Sequence, residues 1–309
     1  MPGRFAGKVA VVTGAGRNIG RAQALLLARE GARVVVNDLG GGPNGDEAGN
    51  AGIAQQVVNE IVAAGGEAVA EGSSVAGSGD AIIAKAMDSW GRIDILINNA
   101  GIVRAGRIDQ LTDQDWDLVV DVSLKGSFAT IRAAAPVFIA QRGGVIVNTG
   151  STSGYGHYGM ANYSAAKEGV AGLTRTVARD LGEFGVRCNM IRPISAQTTT
   201  RTEGVMRTIE RSRELGQTFN WNRPIALRRT MPMPGSVAAL AVWLCSDAAA
   251  HVSGRDFFVQ GDEIGIFPEP ELNRAIFAAD GFTVEALDAP GVGEYLVGDI
   301  PNRFLPREH

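Results

Sequence analysis

Residues 8–20, KVAVVTGAGRNIG, give the strongest indication of the fold. The first six of these residues form an apolar run rich in β-branched valine, which is typical of a buried strand. Glycines follow at Gly14, Gly16 and Gly20, and the amphipathic residues 17–30 are typical of a helix. A strand, a glycine-rich turn and a helix place backbone N–H groups and a helix N-terminus where they can bind a pyrophosphate. Because a glycine turn alone gives many false positives, its neighbours have to support it.

The second strand supplies that support. Residues 32–37 (ARVVVN) are again apolar and β-branched, and Asp38 follows them at about the 20-residue distance expected after such a turn. A carboxylate there accepts hydrogen bonds from ribose hydroxyls and repels a 2′-phosphate, which favours NAD over NADP. Arg17 favours the alternative, because a cation in the turn can hold a 2′-phosphate. We therefore expect NAD, with NADP as the alternative.

Tyr163 and Lys167 stand four residues apart in NYSAAK, residues 162–167. On a helix these positions share a face, so the ammonium can lie beside the phenol. A free tyrosine has a pKa of about 10, and a fixed positive charge lowers that pKa. A tyrosine tuned in this way can exchange a proton with an alcohol or a ketone. The spacing is common by chance, and a solvent-exposed pair explains it equally well when nothing else matches.

The motifs together resemble those of the short-chain dehydrogenase/reductase family over residues 7–262. Asn98-Asn99-Ala100-Gly101 follows the strand-like residues 94–97, where the family's segment of this type supports the sheet and the cofactor. Gly150-Ser151-Thr152-Ser153 follows residues 145–149, where the family keeps its catalytic serine. The resemblance implies an α/β fold: a Rossmann-like, doubly wound parallel sheet of about seven strands, flanked by helices.

The resemblance also implies roles for individual residues. The catalytic residues are Ser151, Tyr163 and Lys167, with Tyr163 as the general acid/base and Lys167 also holding the nicotinamide ribose. Ser153 is the alternative to Ser151, because the family's commonest spacing falls on Gly150. The implied cofactor-binding residues are Gly14, Arg17, Asn18, Ile19, Gly20, Asp38, Asn99, Ala100, Gly101, Tyr163, Lys167, Pro193 and Thr198. The implied substrate contacts are Ser153, Tyr155 and Tyr158.

Four positions depart from the family pattern. Asn18 replaces the middle glycine of the turn, but asparagine tolerates positive φ better than most residues, so we expect the turn to form. Ser123 stands where many relatives carry an asparagine of the proton relay, so we expect the relay to differ. Ser73 or Ser74 replaces an aspartate near the adenine, and Ile194 replaces a glycine after the sixth strand.

The activity implied by the resemblance is an NAD-dependent interconversion of a secondary alcohol and a ketone by hydride transfer. Residues 36–41 (VNDLGG) and 91–102 are similar to the dehydrogenase part of peroxisomal-type multifunctional β-oxidation enzymes. A bulky or lipophilic substrate fits, such as a hydroxysteroid, a terpenoid or aryl alcohol, or a 3-hydroxyacyl-CoA. The alternatives are a non-catalytic NAD(P)-binding regulator, an NADP-dependent ketoreductase, and a lyase or epimerase that uses the same cofactor.

Two segments lie outside the core pattern. Residues 195–234 are where the family builds its substrate lid, and arginines there outnumber acidic residues. The arginines either bind an anionic group such as a CoA phosphate or form a solvated helix face. They are Arg201, Arg207, Arg211, Arg213, Arg223, Arg228 and Arg229.

The second segment is the C-terminal extension, residues 263–309, which follows the 1–262 domain. It is too short and too rich in proline and glycine for an independent domain. Residues 269–279 and 282–287 have helical patterns whose apolar sides need another surface. We expect the extension to pack across a neighbouring subunit, and the resemblance implies a homotetramer, or otherwise a homodimer.

Composition bounds the remaining possibilities. A chain of 309 residues in which strands alternate with helices is read as one α/β domain, and a net charge of −4 gives no reason to expect nucleic acid binding. Cys188 and Cys245 are too few for a disulfide scaffold, which favours reduced thiols and a cytoplasmic location. The three histidines have no ligand-like spacing, so no metal is expected. No apolar run approaches the roughly 18 residues of a membrane span.

Overall fold

The computed structural model describes residues 3–45, 47, 49–50, 52–198, 200–217, 231–279, 281–298 and 300. The described strands are β1 (Val9–Thr13), β2 (Arg33–Asn37), β3 (Glu67–Glu71), β4 (Ile95–Asn98), β5 (Gly144–Thr149), β6 (Val186–Ile194), β7 (Asp256–Gln260) and β8 (Glu263–Ile266). They form one sheet in the order β3-β2-β1-β4-β5-β6-β7-β8. All neighbours pair in parallel except β7 and β8, which are antiparallel.

Helices cover both faces of the sheet, as parallel strands require. The described α-helices are α1 (Asn18–Arg29), α2 (Gly52–Ala63), α3 (Gly79–Trp90), α4 (Asp113–Val120), α5 (Gly126–Gln141), α6 (Ala161–Asp180), α7 (Glu203–Glu214), α8 (Pro234–Cys245) and α9 (Val284–Leu287). A π-helical turn, Asp121–Lys125, joins α4 to α5, and such turns are frequent at functional sites.

The first strand shows how the sequence pattern produces the two layers. All five residues of β1 are buried, because successive side chains point to opposite faces and both faces are covered. Ala10 and Val12 pack in the core beside α1 and α8, whereas Val9 and Val11 pack in the core beside α3 and α5. The predicted Rossmann-like parallel sheet is confirmed.

The order of the strands places the site. Strands β1 and β4 are neighbours, but the chain continues from β1 to β2 on one side and from β4 to β5 on the other, so the connections after them diverge. In open parallel sheets, ligands bind in the crevice that this divergence opens at the carboxyl ends of the strands. The glycine turn follows β1, and the Asn99 segment follows β4, so both lie at this crevice.

The prediction of about seven strands was one strand short. The eighth, β8, forms a hairpin with β7 through Gly261 and Asp262, so the first residues of the extension belong to the sheet. Gly261 has a φ of +56°, which a two-residue hairpin turn often requires. A Gly-Asp pair between two runs with strand character was the signal available in the sequence.

The predicted helix at residues 269–279 was wrong, because the described residues there have no helical structure. Leu272 and Phe277 are 84% and 92% exposed, so these side chains pack on no apolar surface in the described part of the chain. Short helices depend on such packing for their stability. The helical prediction at residues 282–287 is confirmed only over α9, Val284–Leu287.

Candidate active site

The turn after β1 is built for close approach of a ligand to the backbone. Gly14 has a φ of +60°, and a Cβ there would lie 2.8 Å from the Cα of Ala100. A Cβ at Gly20 would lie 2.1 Å from the Gly14 carbonyl oxygen. Asn18 begins α1 with a φ of +47°, which confirms that asparagine can replace the family's glycine there. The turn therefore keeps the shape that a pyrophosphate needs.

Asp38 lies beside this turn at the end of β2. Its carboxylate accepts hydrogen bonds from the backbone N–H groups of Gly16 at 2.8 Å and Gly40 at 2.7 Å. Arg17 donates from Nη1 to the Gly41 carbonyl oxygen at 2.9 Å, so its guanidinium is tied to the loop after β2. The carboxylate and the guanidinium that bear on cofactor choice therefore line one pocket.

The Asn99 segment fastens β4 to this turn. The side-chain amide of Asn99 donates to the carbonyl oxygens of Thr13 at 3.1 Å and Gly14 at 3.0 Å. In return, Thr13 Oγ1 accepts from the backbone N–H groups of Asn99 and Ala100, both at 3.1 Å. Asn98 donates to Asn148 of β5 at 2.9 Å. These bonds explain the sequence of this segment, because each amide satisfies a buried polar group.

Helix α6 carries Tyr163 and Lys167 on its buried face. Asn162 fixes the start of the helix by donating to the Asp115 carbonyl oxygen of α4 at 3.0 Å. Lys167 Nζ donates to the Thr149 carbonyl oxygen at 2.7 Å and lies 5.6 Å from the centre of the Tyr163 ring. The predicted proximity of the two side chains is confirmed, and the solvent-exposed alternative is wrong because both are buried.

The protonation of this pair differs from the sequence-based expectation. Burial raises the pKa of Tyr163 to about 12, although a hydrogen bond with Ser151 pushes that pKa down. Burial lowers the pKa of Lys167 to about 8. In the protein alone, the phenol is therefore fully protonated near neutral pH, because burial outweighs the contacts that favour the phenolate.

The two candidate serines face different partners. The Ser151 side chain acts on the Tyr163 phenol, whose pKa it pushes down, and Ser151 Oγ accepts from the Ser153 backbone N–H at 3.1 Å. Ser153 Oγ shares a hydrogen bond of 3.2 Å with Nδ1 of His157. Burial lowers the pKa of His157 to about 4, so its imidazole is neutral at physiological pH. The structure therefore places Ser151, rather than Ser153, next to the tyrosine.

Two predicted substrate contacts are not among the described residues that line the pocket. Tyr155 ends a 3₁₀ turn, Thr152–Tyr155, and its ring packs against Phe267 and the guanidinium of Arg192. Ser153 of this turn lines the pocket, whereas Tyr155 does not belong to the described lining. Tyr158 lies beside the guanidinium groups of Arg107 and Arg211. Both tyrosines therefore support the loop from outside the pocket.

One cavity of about 660 Å³ joins the glycine turn to the tyrosine. It contains every predicted catalytic and cofactor-binding residue together with Ser153, and Ser73, Ser74 and Ile194 also line it. Several lining residues were not predicted individually, because they come from segments distant in the sequence and carry no motif. Those with apolar side chains include Ile102, Leu118, Val122, Ile209, Met231 and Pro232.

Ser123 lies behind the catalytic pair, on the π-helical turn. Its hydroxyl is buried and has no hydrogen-bond partner among the described residues. A Cβ built at Gly101 would lie 3.3 Å from Lys167 Nζ and 3.5 Å from Ser123 Oγ, so both polar groups border the same small space. The serine thus occupies the position of the family's relay asparagine with a shorter side chain.

The arginines of the lid segment differ in their surroundings. Arg207 pairs with Glu203 at 2.6 Å, and Arg211 pairs with Glu214 at 2.8 Å, on the exposed side of α7. Arg201 lines the cavity. The surface-pair explanation therefore holds for Arg207 and Arg211. Arg223, Arg228 and Arg229 lie outside the described residues.

The part of the chain that the structure describes contains no group of three or more histidine, cysteine, aspartate or glutamate side chains that could hold a metal ion. None of its helices has both the length and the apolar character of a membrane span. Cys188 and Cys245 are buried free thiols.

Comparison with known proteins places this site in a family. A family model described as enoyl-(acyl carrier protein) reductase matches residues 14–261. Hydroxyacyl-CoA dehydrogenase ChsB1 of Mycobacterium tuberculosis is 37% identical, and the match covers 97% of this chain and 92% of that protein. The peroxisomal hydratase-dehydrogenase-epimerase of Neurospora crassa is 50% identical over 200 residues, which cover 64% of this chain and 22% of that protein. The chain therefore spans less than a quarter of that longer relative.

A solved structure agrees with these matches. The crystal structure of a short chain dehydrogenase from Mycobacterium avium superposes with a TM-score of 0.79 at 38% identity. The superposition covers 99% of this chain and 100% of that one. The family model, the relatives and the solved structure agree on the family of the chain. The chain belongs to the short-chain dehydrogenase/reductase family of oxidoreductases.

Proposed function

We propose that this protein is an NAD-dependent oxidoreductase that interconverts a secondary alcohol and a ketone. One observation carries the proposal: Tyr163, Lys167 and Ser151 line the same cavity as the glycine turn and Asp38. The group proposed to transfer the proton and the residues proposed to bind the dinucleotide thus line one continuous cavity. Formation of NADH from a secondary alcohol, with Tyr163→Phe as control, tests the proposal.

The residues of the site suggest how the proton moves. In the reductive direction, the protonated phenol of Tyr163 donates its proton to the ketone oxygen; in the oxidative direction, the phenolate removes it from the alcohol. Ser151 Oγ donates a hydrogen bond to the same substrate oxygen as charge develops on it. Lys167 would hold the nicotinamide ribose. A bound nicotinamide would supply the hydride acceptor or donor. Because burial raises the pKa of Tyr163 to about 12, alkaline pH favours oxidation.

The chain's own residues fit a dinucleotide. Glycines at the turn leave no Cβ between the backbone and a pyrophosphate, and α1 begins there with its N-terminus free to bind an anion. Asp38 sits at the position from which a carboxylate accepts bonds from the adenosine ribose. Asn99, Ala100, Pro193 and Thr198 complete the implied contacts along the cavity.

Asp38 carries the expected preference for NAD, and its replacement should weaken that preference. In Asp38→Asn the negative charge that repels a 2′-phosphate is gone, while Arg17 stays beside the turn. We expect the ratio of kcat/KM for NAD to kcat/KM for NADP to fall by about tenfold or more, the usual size of a single close charge effect. Steady-state kinetics with both cofactors measure this ratio.

A matched control is Glu71→Gln, at the end of the neighbouring strand β3. Glu71 bonds to Asn37 and to the Ser73 backbone and is not among the described residues of the cavity. That variant should keep the wild-type ratio. An Asp38→Asn enzyme with an unchanged ratio would remove the argument for NAD.

The pocket and the relatives together suggest the substrate class. The lid side is apolar, with Ile209, Met231 and Pro232, which suits a bulky or lipophilic group. Arg201 is the lid arginine on the cavity and could contact an anionic group such as a CoA phosphate. Because one relative is named as a hydroxyacyl-CoA dehydrogenase, we place 3-hydroxyacyl-CoA first, with hydroxysteroid, terpenoid and aryl alcohols after it. Some relatives are named as peroxisomal, so the predicted cytoplasmic location also stays a proposal.

We propose further that the extension packs on a second copy of the chain in a homotetramer or homodimer. Its apolar side chains have no surface to cover them within the described chain, and burying such side chains is favourable. The exposed apolar residues of the extension include Leu272, Phe277, Phe282, Val284, Leu287, Tyr295, Val297 and Ile300.

Truncation tests this assembly. A chain ending at residue 269 keeps β8 and Phe267 but loses the exposed apolar residues from Leu272 to Ile300. We expect it to form a smaller oligomer than the full chain, or to show a changed KM, because the buried contact between copies is lost. Sedimentation analysis and steady-state kinetics of both chains provide the comparison. An unchanged assembly with unchanged kinetics would contradict the proposal.

A further inference from the structure

The largest fully buried side chain described is a charged one, Arg192 of β6, with 0% of its surface exposed. Its guanidinium makes three polar contacts, each with a different part of the fold. Nε donates to Asp256 of β7 at 2.7 Å, Nη2 donates to Glu168 of α6 at 2.9 Å, and Nη1 donates to the Ser151 carbonyl oxygen at 2.6 Å. Burial of a charge is costly unless its hydrogen bonds are made, so this network is held together as a unit.

Two of the three contacts adjoin the proposed catalytic residues. Nη1 bonds the backbone of Ser151, whose side chain acts on the pKa of Tyr163, and Nη2 bonds Glu168, which follows Lys167 directly on α6. The same guanidinium therefore ties the loop that carries the serine to the helix that carries the tyrosine and the lysine. Arginine suits this place because its planar group presents five donors in fixed directions, whereas lysine presents one small charge.

Two aromatic rings and a glycine also contact the guanidinium of Arg192. Tyr155 and Phe267 lie against the guanidinium, with ring centres 4.2 Å and 5.6 Å from its carbon. Gly154 packs so closely that a Cβ there would lie 2.6 Å from Glu168 Oε2 and 2.7 Å from Arg192 Nη1. Gly154, in the loop after Ser151, therefore packs against the Arg192–Glu168 ion pair from one side. Phe267, the first residue after β8, covers the guanidinium from another side.

We propose that Arg192 is a positioning residue that sets the placement of the Ser151 hydroxyl against the Tyr163 phenol. It touches neither of these reacting groups, because its bond is to the Ser151 backbone. It acts by fixing that backbone relative to α6. This inference rests on the proposed function, in which Ser151 and Tyr163 share the substrate oxygen.

The main test is Arg192→Lys, which keeps the charge but cannot reach three separated acceptors. We expect kcat to fall about 10- to 100-fold, the usual cost of displacing a catalytic group by about 1 Å. The dissociation constant for NAD should stay near the wild-type value. The matched control is Glu67→Gln, which breaks the ion pair between Arg33 and Glu67 across β2 and β3, away from Ser151. That variant should keep the wild-type kcat.

A double-mutant cycle separates positioning from general loss of structure. If Arg192 acts through the Ser151 hydroxyl, Arg192→Lys should lower kcat in the wild type and leave it nearly unchanged in Ser151→Ala. An equal loss in both backgrounds would overturn the proposal, and so would a wild-type kcat in Arg192→Lys. If Arg192→Lys does not fold, Gly154→Ala carries the same cycle. Its added methyl group pushes on the Arg192–Glu168 pair, and the backbone at Gly154 does not have positive φ.

The crystal structures of the wild type and of the folding variant give a readout that needs no substrate. The separation of Ser151 Oγ from Tyr163 Oη should increase in the variant, and an unchanged separation would overturn the proposal. If the wild type turned over no alcohol at all, the proposed function would fail, while this distance would still decide the role of Arg192.

Discussion

Replacing Tyr163 by phenylalanine is expected to lower kcat for alcohol oxidation by about 10²- to 10⁴-fold, the range of a lost general acid–base group. The hydroxyl is the group that exchanges the proton, whereas the ring only packs. The ring is 7% exposed and lies in a cluster with Ile102, Val103 and Met160, so phenylalanine should keep the fold and the affinity for NAD. Steady-state kinetics and a titration with NAD measure both quantities.

The control is Tyr158→Phe, which removes a hydroxyl five residues earlier. Tyr158 lies beside Arg107 and Arg211, outside the described lining of the cavity. That variant should keep wild-type kinetics. A Tyr163→Phe enzyme that retained more than about a tenth of the wild-type kcat would contradict the assigned role, because proton transfer contributes at least 10²-fold in enzymes of this type.

Replacing Ser151 by alanine should lower kcat by about 10²- to 10³-fold, the usual cost of removing a donor that stabilises a developing oxyanion. Of the two candidate serines, Ser151 is the one whose side chain acts on the pKa of Tyr163, whereas Ser153 bonds to His157. Steady-state kinetics with one alcohol at saturating NAD measure the effect.

Ser153→Ala is the matched comparison, because Ser153 also lines the cavity but bonds to His157. Its loss should cost less than about tenfold, the value of one ordinary hydrogen bond. Ser151→Thr, which keeps a hydroxyl, should recover part of the activity. If Ser153→Ala were the more damaging change, the roles of the two serines would be reversed.

The parts of the fold that depend on local pattern were predictable. The valine-rich runs that became β1 and β2 are buried on both faces, and such runs have few alternatives to a parallel strand. The glycine turn was predictable from glycines that stand between a strand and a helix. The structure requires glycine at Gly14 and Gly20, because a side chain at either position would overlap backbone atoms. The positions of Tyr163 and Lys167 on one helix face followed from helical spacing alone.

What failed depended on contacts that no local pattern encodes. Tyr155 was expected at the substrate, but a 3₁₀ turn and the buried charge of Arg192 place its ring on the opposite side. The pKa of Tyr163 was expected to be lowered, but the depth of its burial was not visible in the sequence. The helix predicted at residues 269–279 lacks a surface to pack on among the described residues.

The most direct measurement is the formation of NADH at mildly alkaline pH, with NAD and NADP run in parallel on wild type and Tyr163→Phe. The alcohols are 3-hydroxyacyl-CoAs, hydroxysteroids, terpenoid alcohols and aryl carbinols. We predict turnover of at least one of them with NAD, faster than with NADP, and its loss in the variant. Cofactor binding without turnover of any alcohol would contradict the proposed activity and favour a non-catalytic nucleotide-binding role.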